Sequence, residues 1–242
     1  MAEQQVWQWS SQIAVTADAS ETIFYSTLKR AMDFFLALGI IIFLLPVLLV
    51  IALLIKLDSP GPVIFTQERV GAKRQRLGRH SVWVVQNFRI YKFRSMVRDA
   101  DSSLHEAYIK DFVEGRAQLS PENGGKFKLI NDPRVTPVGG FLRKFSLDEL
   151  PQLFNVLKGD MSLVGPRPVP TYEVASYQAR HHNRFAALPG ITGLWQVKGR
   201  CQVSFEEMIR MDVEYIRNAS LSFDLKLLFL TIPAVISRRG AE

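Results

Sequence analysis

Residues 34–55 form an uncharged apolar run of 22 residues, long enough as a helix to cross a hydrocarbon core of about 30 Å. A single crossing is the simplest reading, and three features oppose it. Lys29 and Arg30 precede the run, and Lys56, Arg69, Lys73, Arg74, Arg76 and Arg79 follow it, so the preference of basic residues for the cytoplasmic side draws both ends to one face. Pro46, just past the middle, leaves the carbonyl of Ile42 without its helical donor and kinks the helix. No second run of similar length returns the chain. These features favour a re-entrant helical hairpin that dips into one leaflet, provided that protein or water satisfies the freed backbone.

The remainder of the 242 residues suits one domain with a short appendage, and 48% hydrophobic content is ample for a core, which excludes a disordered chain. Residues 1–26 lack the basic start and apolar run of a signal peptide; they are an appended segment whose Trp7 and Trp9 lie at a membrane interface or against the body. A net charge of +7 calls for an anionic partner. Much of it is local, with ten Lys or Arg against Asp58 and Glu68 between Lys56 and Arg98. This basic segment follows a hydrophobic anchor and carries no recognition motif, so nucleic acid is not an expected partner. Residues 69–79 read as a basic loop or hairpin facing anionic lipid or solvent. Cys201 is the single cysteine, which excludes an internal disulfide and fits a reducing compartment.

The chemistry-bearing stretch is 145–159. Asp148 and Glu149 stand side by side, with Arg143 and Arg167 on either side in the sequence. Leu150, Leu153, Phe154 and Leu157 have the spacing of a helix with one apolar face, and Gly159 supplies its stop. Ser146 and Glu149 have the spacing of a capping box; a start at Asp148 would instead put Pro151 in the first turn, where no donor is needed. Either start sets the carboxylates at the positive end of a helix, where the ionised form is favoured and a nucleophile, a metal ligand or a mere cap are all at home. Pro166-Arg167-Pro168 holds a guanidinium on a fixed backbone suited to phosphate. Gly139 and Gly140 allow close approach to a phosphate, and residues 189–200 form a glycine-rich loop able to receive a base and phosphates. There is no Walker pattern and no G-x-G-x-x-G, which argues against P-loop and Rossmann enzymes. Lys29 and Asp33 are spaced to pair along a helix, whereas Arg30 opposes the helix dipole and would be explained by a lipid phosphate.

Short strands are expected at 63–66, 82–85 and 89–93 and helices at 99–115 and 204–218, the latter with Met208, Met211 and Tyr215 toward the core. Residues 225–236, capped by 222–224, are too short to span and fit an interfacial helix or a core helix. The expected fold class is α+β, mostly helical with a few short strands.

Several motifs follow one another in a specific order: Lys29-Arg30 with Asp33 ahead of the run containing Pro46, Gly61-Pro62-Val63 with Gln67-Glu68-Arg69, Lys92-Phe93-Arg94-Ser95-Met96, residues 146–152, Gly165-Pro166-Arg167-Pro168, and Gly190-Ile191-Thr192-Gly193. Over residues 26–236 the chain resembles the bacterial sugar transferase family, the monotopic polyprenyl-phosphate phosphoglycosyl transferases. The resemblance implies transfer of a sugar 1-phosphate from a UDP-sugar to undecaprenyl phosphate, yielding undecaprenyl-diphosphate-sugar and UMP and initiating an exopolysaccharide, O-antigen or glycoprotein glycan. It implies a monotopic protein on the cytoplasmic face of the bacterial inner membrane. Residues 27–57 would be the re-entrant membrane helix and 58–242 a cytoplasmic catalytic domain ending in an interfacial helix. Membrane lipids surround it, and a homodimer is allowed for.

Carried onto this sequence, the resemblance makes Asp148 the nucleophile of a covalent phosphosugar intermediate. Glu149 assists with magnesium or proton handling, with both carboxylates as metal-ligand candidates for Mg2+. Arg143, Arg167, Lys92 and Arg94 would hold substrate phosphate, Lys29 and Arg30 the lipid phosphate, and Pro46 the membrane kink. Physical chemistry agrees, since a carboxylate attacks a phosphoanhydride only where cations offset the charge repulsion. Two departures stand out. Leu45-Pro46 replaces the Ser-Pro of many members, and the interval from Glu68 to Lys92 is longer than in small members by on the order of ten residues, compatible with an added hairpin. A non-catalytic membrane-surface adaptor, using the basic segment and the apolar run, is the alternative.

Overall fold

A computed structural model of the chain describes residues 14–16, 23–77, 80–98, 103–116, 132–199 and 203–236; Trp7, Trp9, Arg79 and Cys201 lie outside them. The apolar run belongs to helix α1, Ile23–Asp58, which continues through Pro46 without a break into two helices. Its packing is one-sided. Ala37 and Ile41 are buried with Leu153 and Val156, Ile51 and Ile55 are buried with Phe93 and Leu142, and Leu150 packs on both groups. Phe35, Phe43, Leu49 and Leu57 remain exposed. So much exposed apolar surface on one long helix is compatible with membrane association.

The expected short strands prove to be parts of one long hairpin. Strands β2, Ile64–Leu77, and β3, His80–Phe93, each run for 14 residues and pair antiparallel throughout. Alternation explains the length, because Val70 and Ala72 on one strand and Trp83 and Val85 on the other are buried on a shared core with Phe185, while Lys73 and Gln75 are exposed. The basic residues 69–76 therefore occupy strand positions of a hairpin, the second of the two expected forms. Strand β1, Ala14–Thr16, lies within the N-terminal segment and pairs with β3. Two further strands are β4, Ser162–Val164, and β5, Val169–Pro170, of which β5 pairs with β2 to give the order β1-β3-β2-β5. Strand β6, Gly190–Thr192, pairs parallel with β4, so part of the expected 189–200 loop is a strand.

The helices after α1 are α2, Ser103–Val113; α3, Pro137–Lys144; α4, Gln152–Lys158; α5, Thr171–Val174; α6, Leu194–Lys198; α7, Phe205–Arg217; and α8, Leu221–Ile236. Helix α7 forms as its periodicity predicts, opened by a reciprocal Ser204–Glu207 capping box and burying Met208 and Tyr215. Helix α8 begins before its expected start, with the Phe223 N–H donating to Ser220 Oγ at 3.3 Å. Asp224, expected as part of a cap, is buried and accepts from the Tyr215 hydroxyl at 2.8 Å. Leu227 of α8 is buried, whereas Phe229 and Ile232 are exposed.

Helix α4 holds these parts together. It buries Gln152, Leu153, Asn155 and Val156, whereas Phe154, expected in the core, is exposed. The buried face is chosen by Asn155, whose amide donates to Arg89 O at 2.8 Å and whose Oδ1 accepts from Tyr91 N–H at 3.1 Å on β3. At its other end Gly159 adopts φ 85°, the expected left-handed stop. Arg30 then donates to Val156 O at 2.5 Å and Leu157 O at 2.7 Å. A cation that lies inside α1, beyond its first turn, thus caps the negative end of another helix. Asn155→Ala leaves a buried donor and acceptor on β3 unsatisfied, at about 1–3 kcal/mol each. We expect a clear drop in unfolding temperature, read by thermal denaturation of the purified protein; an unchanged value would contradict the anchoring role.

Candidate functional site

The path into the site is set by α3. Thr136 caps it, accepting from Gly139 N–H at 3.0 Å. Gly139 has no room for a side chain, because a Cβ there would lie 2.0 Å from Ser95 O. The close approach that its sequence suggested is therefore to the Ser95 backbone and not to a phosphate. Arg143 occupies the last turn of α3, and Ser146 follows at φ 56°, the single non-glycine residue with positive φ among the described residues. Such a conformation is uncommon and clusters at functional sites.

Leu147–Glu149 form a separate 3-10 turn, and α4 starts only at Gln152 with Pro151 as its cap. Neither expected helix start holds. Ser146 makes no side-chain capping bond, its left-handed backbone differing from the extended conformation of a helix cap, and the Glu149 carboxylate that would complete the box is drawn to basic side chains. Glu149 Oε1 lies 2.8 Å from Lys92 Nζ and 2.5 Å from Arg167 Nη2, while its Oε2 accepts from Arg167 Nη1 at 3.2 Å. Lys92 Nζ is also 3.9 Å from Asp148 Oδ2. Charge here is governed by side chains more than by a helix end. Burial alone would raise the Glu149 carboxyl, but Arg167 and then Lys92 hold it far below the usual range, so it is ionised. Asp148 is raised by burial, with Lys92 opposing the shift and ionised Glu149 adding to it; Arg143 and Arg167 also pull it down.

Asp148, Glu149, Lys92, Arg143 and Arg167 line one cavity of about 1100 Å³. Its wall also includes Ile40 of α1 and Leu228, Thr231 and Val235 of α8, so the charged cluster opens toward the two helices with exposed apolar faces. Of the remaining sequence-predicted residues, Arg94 lines the same cavity but spends its Nη2 on Ile55 O, Ser59 O and Ser59 Oγ, at 3.1, 2.6 and 3.0 Å, closing the C-terminal end of α1. Lys29 is buried between Asp33 and Asp224, at 3.2 and 3.1 Å. The structure thus gives Lys29 and Arg30 protein partners where a lipid phosphate was expected. Pro46 lies within α1.

Other cavity residues escaped the sequence reading. Arg184 is fully buried, 2.7 Å from Asp212 and bonded to the Tyr177 hydroxyl, and it donates to Arg167 O at 3.3 Å. It thereby braces the Pro166–Pro168 segment behind the cluster. His105 and Tyr172 form a second cavity-lining pair, Nδ1 to hydroxyl 2.7 Å. Arg69 lines the cavity too.

Among the described residues no group of three or more His, Cys, Asp or Glu converges as a metal cage. That does not disqualify magnesium, which commonly takes one or two carboxylates together with substrate phosphates. Asp148 suits such a role, while both oxygens of Glu149 are already hydrogen-bonded.

Residues 24–238 match the family described as bacterial sugar transferase. The chain is 46% identical over 214 residues to a UDP-galactose-lipid carrier transferase of Erwinia amylovora, covering 88% of this chain and 41% of that protein. It is 42% identical over 214 residues to an undecaprenyl-phosphate galactose phosphotransferase of Salmonella typhimurium, with the same 88% and 41% coverage. With the exopolysaccharide production protein ExoY of Sinorhizobium fredii it shares 38% over 213 residues, 88% of this chain and 87% of that one. The chain spans well under half the length of the first two relatives and most of the third. A match that takes in the long apolar helix, the carboxylate turn and every cation around it makes this chain a member of the bacterial sugar transferase family.

Proposed function

We propose that the chain transfers a sugar 1-phosphate from a UDP-sugar to undecaprenyl phosphate, releasing UMP and opening the assembly of a membrane-bound glycan. The carrying observation is the buried Asp148 carboxylate among Lys92, Arg143 and Arg167, in a cavity reaching α1 and α8. Asp148 attacks the β-phosphorus. The bond to the bridging oxygen breaks, its electron pair leaves with UMP, and the sugar phosphate stays on Asp148. An oxygen of the lipid phosphate then attacks the same phosphorus and frees the carboxylate. Lys92, Arg143 and Arg167 offset the charge of the incoming diphosphate, and Glu149 fixes Lys92 and Arg167 in place. Magnesium, for which Asp148 and Glu149 are the neighbouring carboxylates, would supply further charge neutralisation on the diphosphate.

Asp148→Asn keeps the shape of the side chain and removes the nucleophile. We expect loss of UMP release by more than about a thousandfold across a panel of UDP-sugars offered with undecaprenyl phosphate, at an unchanged unfolding temperature. Retained UMP release would refute Asp148 as the nucleophile, and a wild type that releases UMP from none of the UDP-sugars would leave the membrane-surface adaptor.

Membrane insertion is proposed to be re-entrant, from one face. Support comes from packing: residues Ala37 and Ile41 before Pro46, and Ile51 and Ile55 after it, meet the same body, with Leu150 between them. A straight helix of this length would reach about 54 Å, well beyond one bilayer core, and would carry one end away from that body. Thr27→Cys and Pro60→Cys, both at exposed positions, should react with an impermeant maleimide from the cytoplasmic side only, in a Cys201→Ser background. Labelling from opposite sides would establish a crossing.

A further inference from the structure

Arg69 belongs to the basic stretch that the sequence reads as a loop or hairpin facing lipid or solvent, yet it stands in the cavity wall. It is held inside β2, opposite Phe88 of β3 and Pro170 of β5, so its backbone is fixed from both sides. Its guanidinium donates to Gln67 Oε1 at 2.7 Å and Pro168 O at 3.5 Å, both uncharged acceptors. Its Nε is buried with no hydrogen-bond acceptor among the described residues.

The carboxylates nearby are spoken for. Glu149 is held by Lys92 and Arg167. Glu173 accepts from the Tyr177 hydroxyl at 2.6 Å and lies 3.6 Å from Arg184. Asp132 is paired with Arg134. Tyr172 is no counterion, since burial pushes its phenol up to about 12. After burial itself, the neighbour that most disfavours the charged form of Arg69 is another guanidinium, that of Arg167. Two adjacent like charges, one with an unsatisfied donor, are costly until an anion joins them.

The wall says which anion. Arg167 bonds Glu149, the residue next to Asp148, and Arg69 donates to the carbonyl of Pro168, the residue next to Arg167. Asp148, Arg167 and Arg69 line the same cavity. With the attacked phosphorus at Asp148, Arg167 and Arg69 are the guanidiniums that stand ready for the next phosphate of the diphosphate.

We propose that Arg69 binds the phosphate that departs with the nucleotide, forming with Arg167 a two-guanidinium cradle across the diphosphate. The proposal rests on the reaction given above. When the Asp148 oxygen bonds to the β-phosphorus, the bond from that phosphorus to the bridging oxygen breaks. The electron pair stays on the oxygen, which becomes a terminal oxygen of UMP. Arg69 offsets the charge that accumulates there, as a preorganised donor does for any developing oxyanion.

The direct test is calorimetric binding of UMP to the full chain in detergent. Arg69→Gln should weaken UMP binding by about ten- to a hundredfold and slow the first burst of UMP release by about a hundredfold or more. The rate at which undecaprenyl phosphate discharges a preformed phosphosugar enzyme should stay within about twofold. Unchanged UMP affinity in a variant of native unfolding temperature overturns the proposal, as does a selective loss of lipid discharge, which would assign Arg69 to the lipid phosphate. Should Arg69→Gln fail to fold, Arg69→Lys retains the charge without the planar fork; weaker UMP binding is expected, and unchanged affinity again overturns the proposal. A wild type that binds UMP but releases none from any UDP-sugar would defeat the proposed reaction, while Arg69 would still be judged on UMP affinity.

Discussion

The site depends on one carboxylate held between two cations. Glu149 lies between Lys92 on β3 and Arg167 on the segment joining β4 to β5, at 2.8 and 2.5 Å, and so joins parts far apart in sequence. Partly buried charges of this kind are costly unless each finds a partner. Their mutual satisfaction fixes where the turn at Leu147–Glu149 can sit, and with it Asp148. The same clamp leaves Asp148 as the member of the pair whose charge is least secured, since burial and its ionised neighbour both favour protonation.

Around this clamp the apolar and polar halves of the molecule are interlocked. Arg30 and Arg94 are two guanidiniums that close helix ends, Arg30 at the end of α4 and Arg94 at the end of α1. Lys29 bridges α1 to α8 through Asp224. The long apolar helix is therefore fastened by buried polar bonds at both of its ends to the body that carries the cavity. The position of this helix relative to Asp148 is therefore fixed by side chains at both of its ends.

What the sequence revealed and what it hid follow from the range of each interaction. Helix α7 with its capping box, the Gly159 stop and the Lys29–Asp33 pair are decided within a few residues, and all three were legible. The cluster of Asp148, Glu149, Lys92, Arg143 and Arg167 was legible only through the order of its motifs, because nothing local brings Lys92 to Glu149 across 57 residues. The backbone contacts of Arg30, Arg94 and Asn155 were hidden for the same reason: each satisfies backbone groups far along the chain, and a side chain that caps a distant helix looks in sequence like a free ligand. The hairpin was broken into short pieces because its basic residues masked an alternation that only pairing across two strands completes. Arg69 was hidden inside that alternation.

The proposed reaction requires a covalent bond between sugar phosphate and Asp148. Incubation with the cognate UDP-sugar in the absence of lipid, followed by acid quench, digestion and mass spectrometry, should find a sugar phosphate on the peptide containing Asp148, and none in Asp148→Asn. An adduct on a different residue, or one undiminished by that substitution, would contradict it.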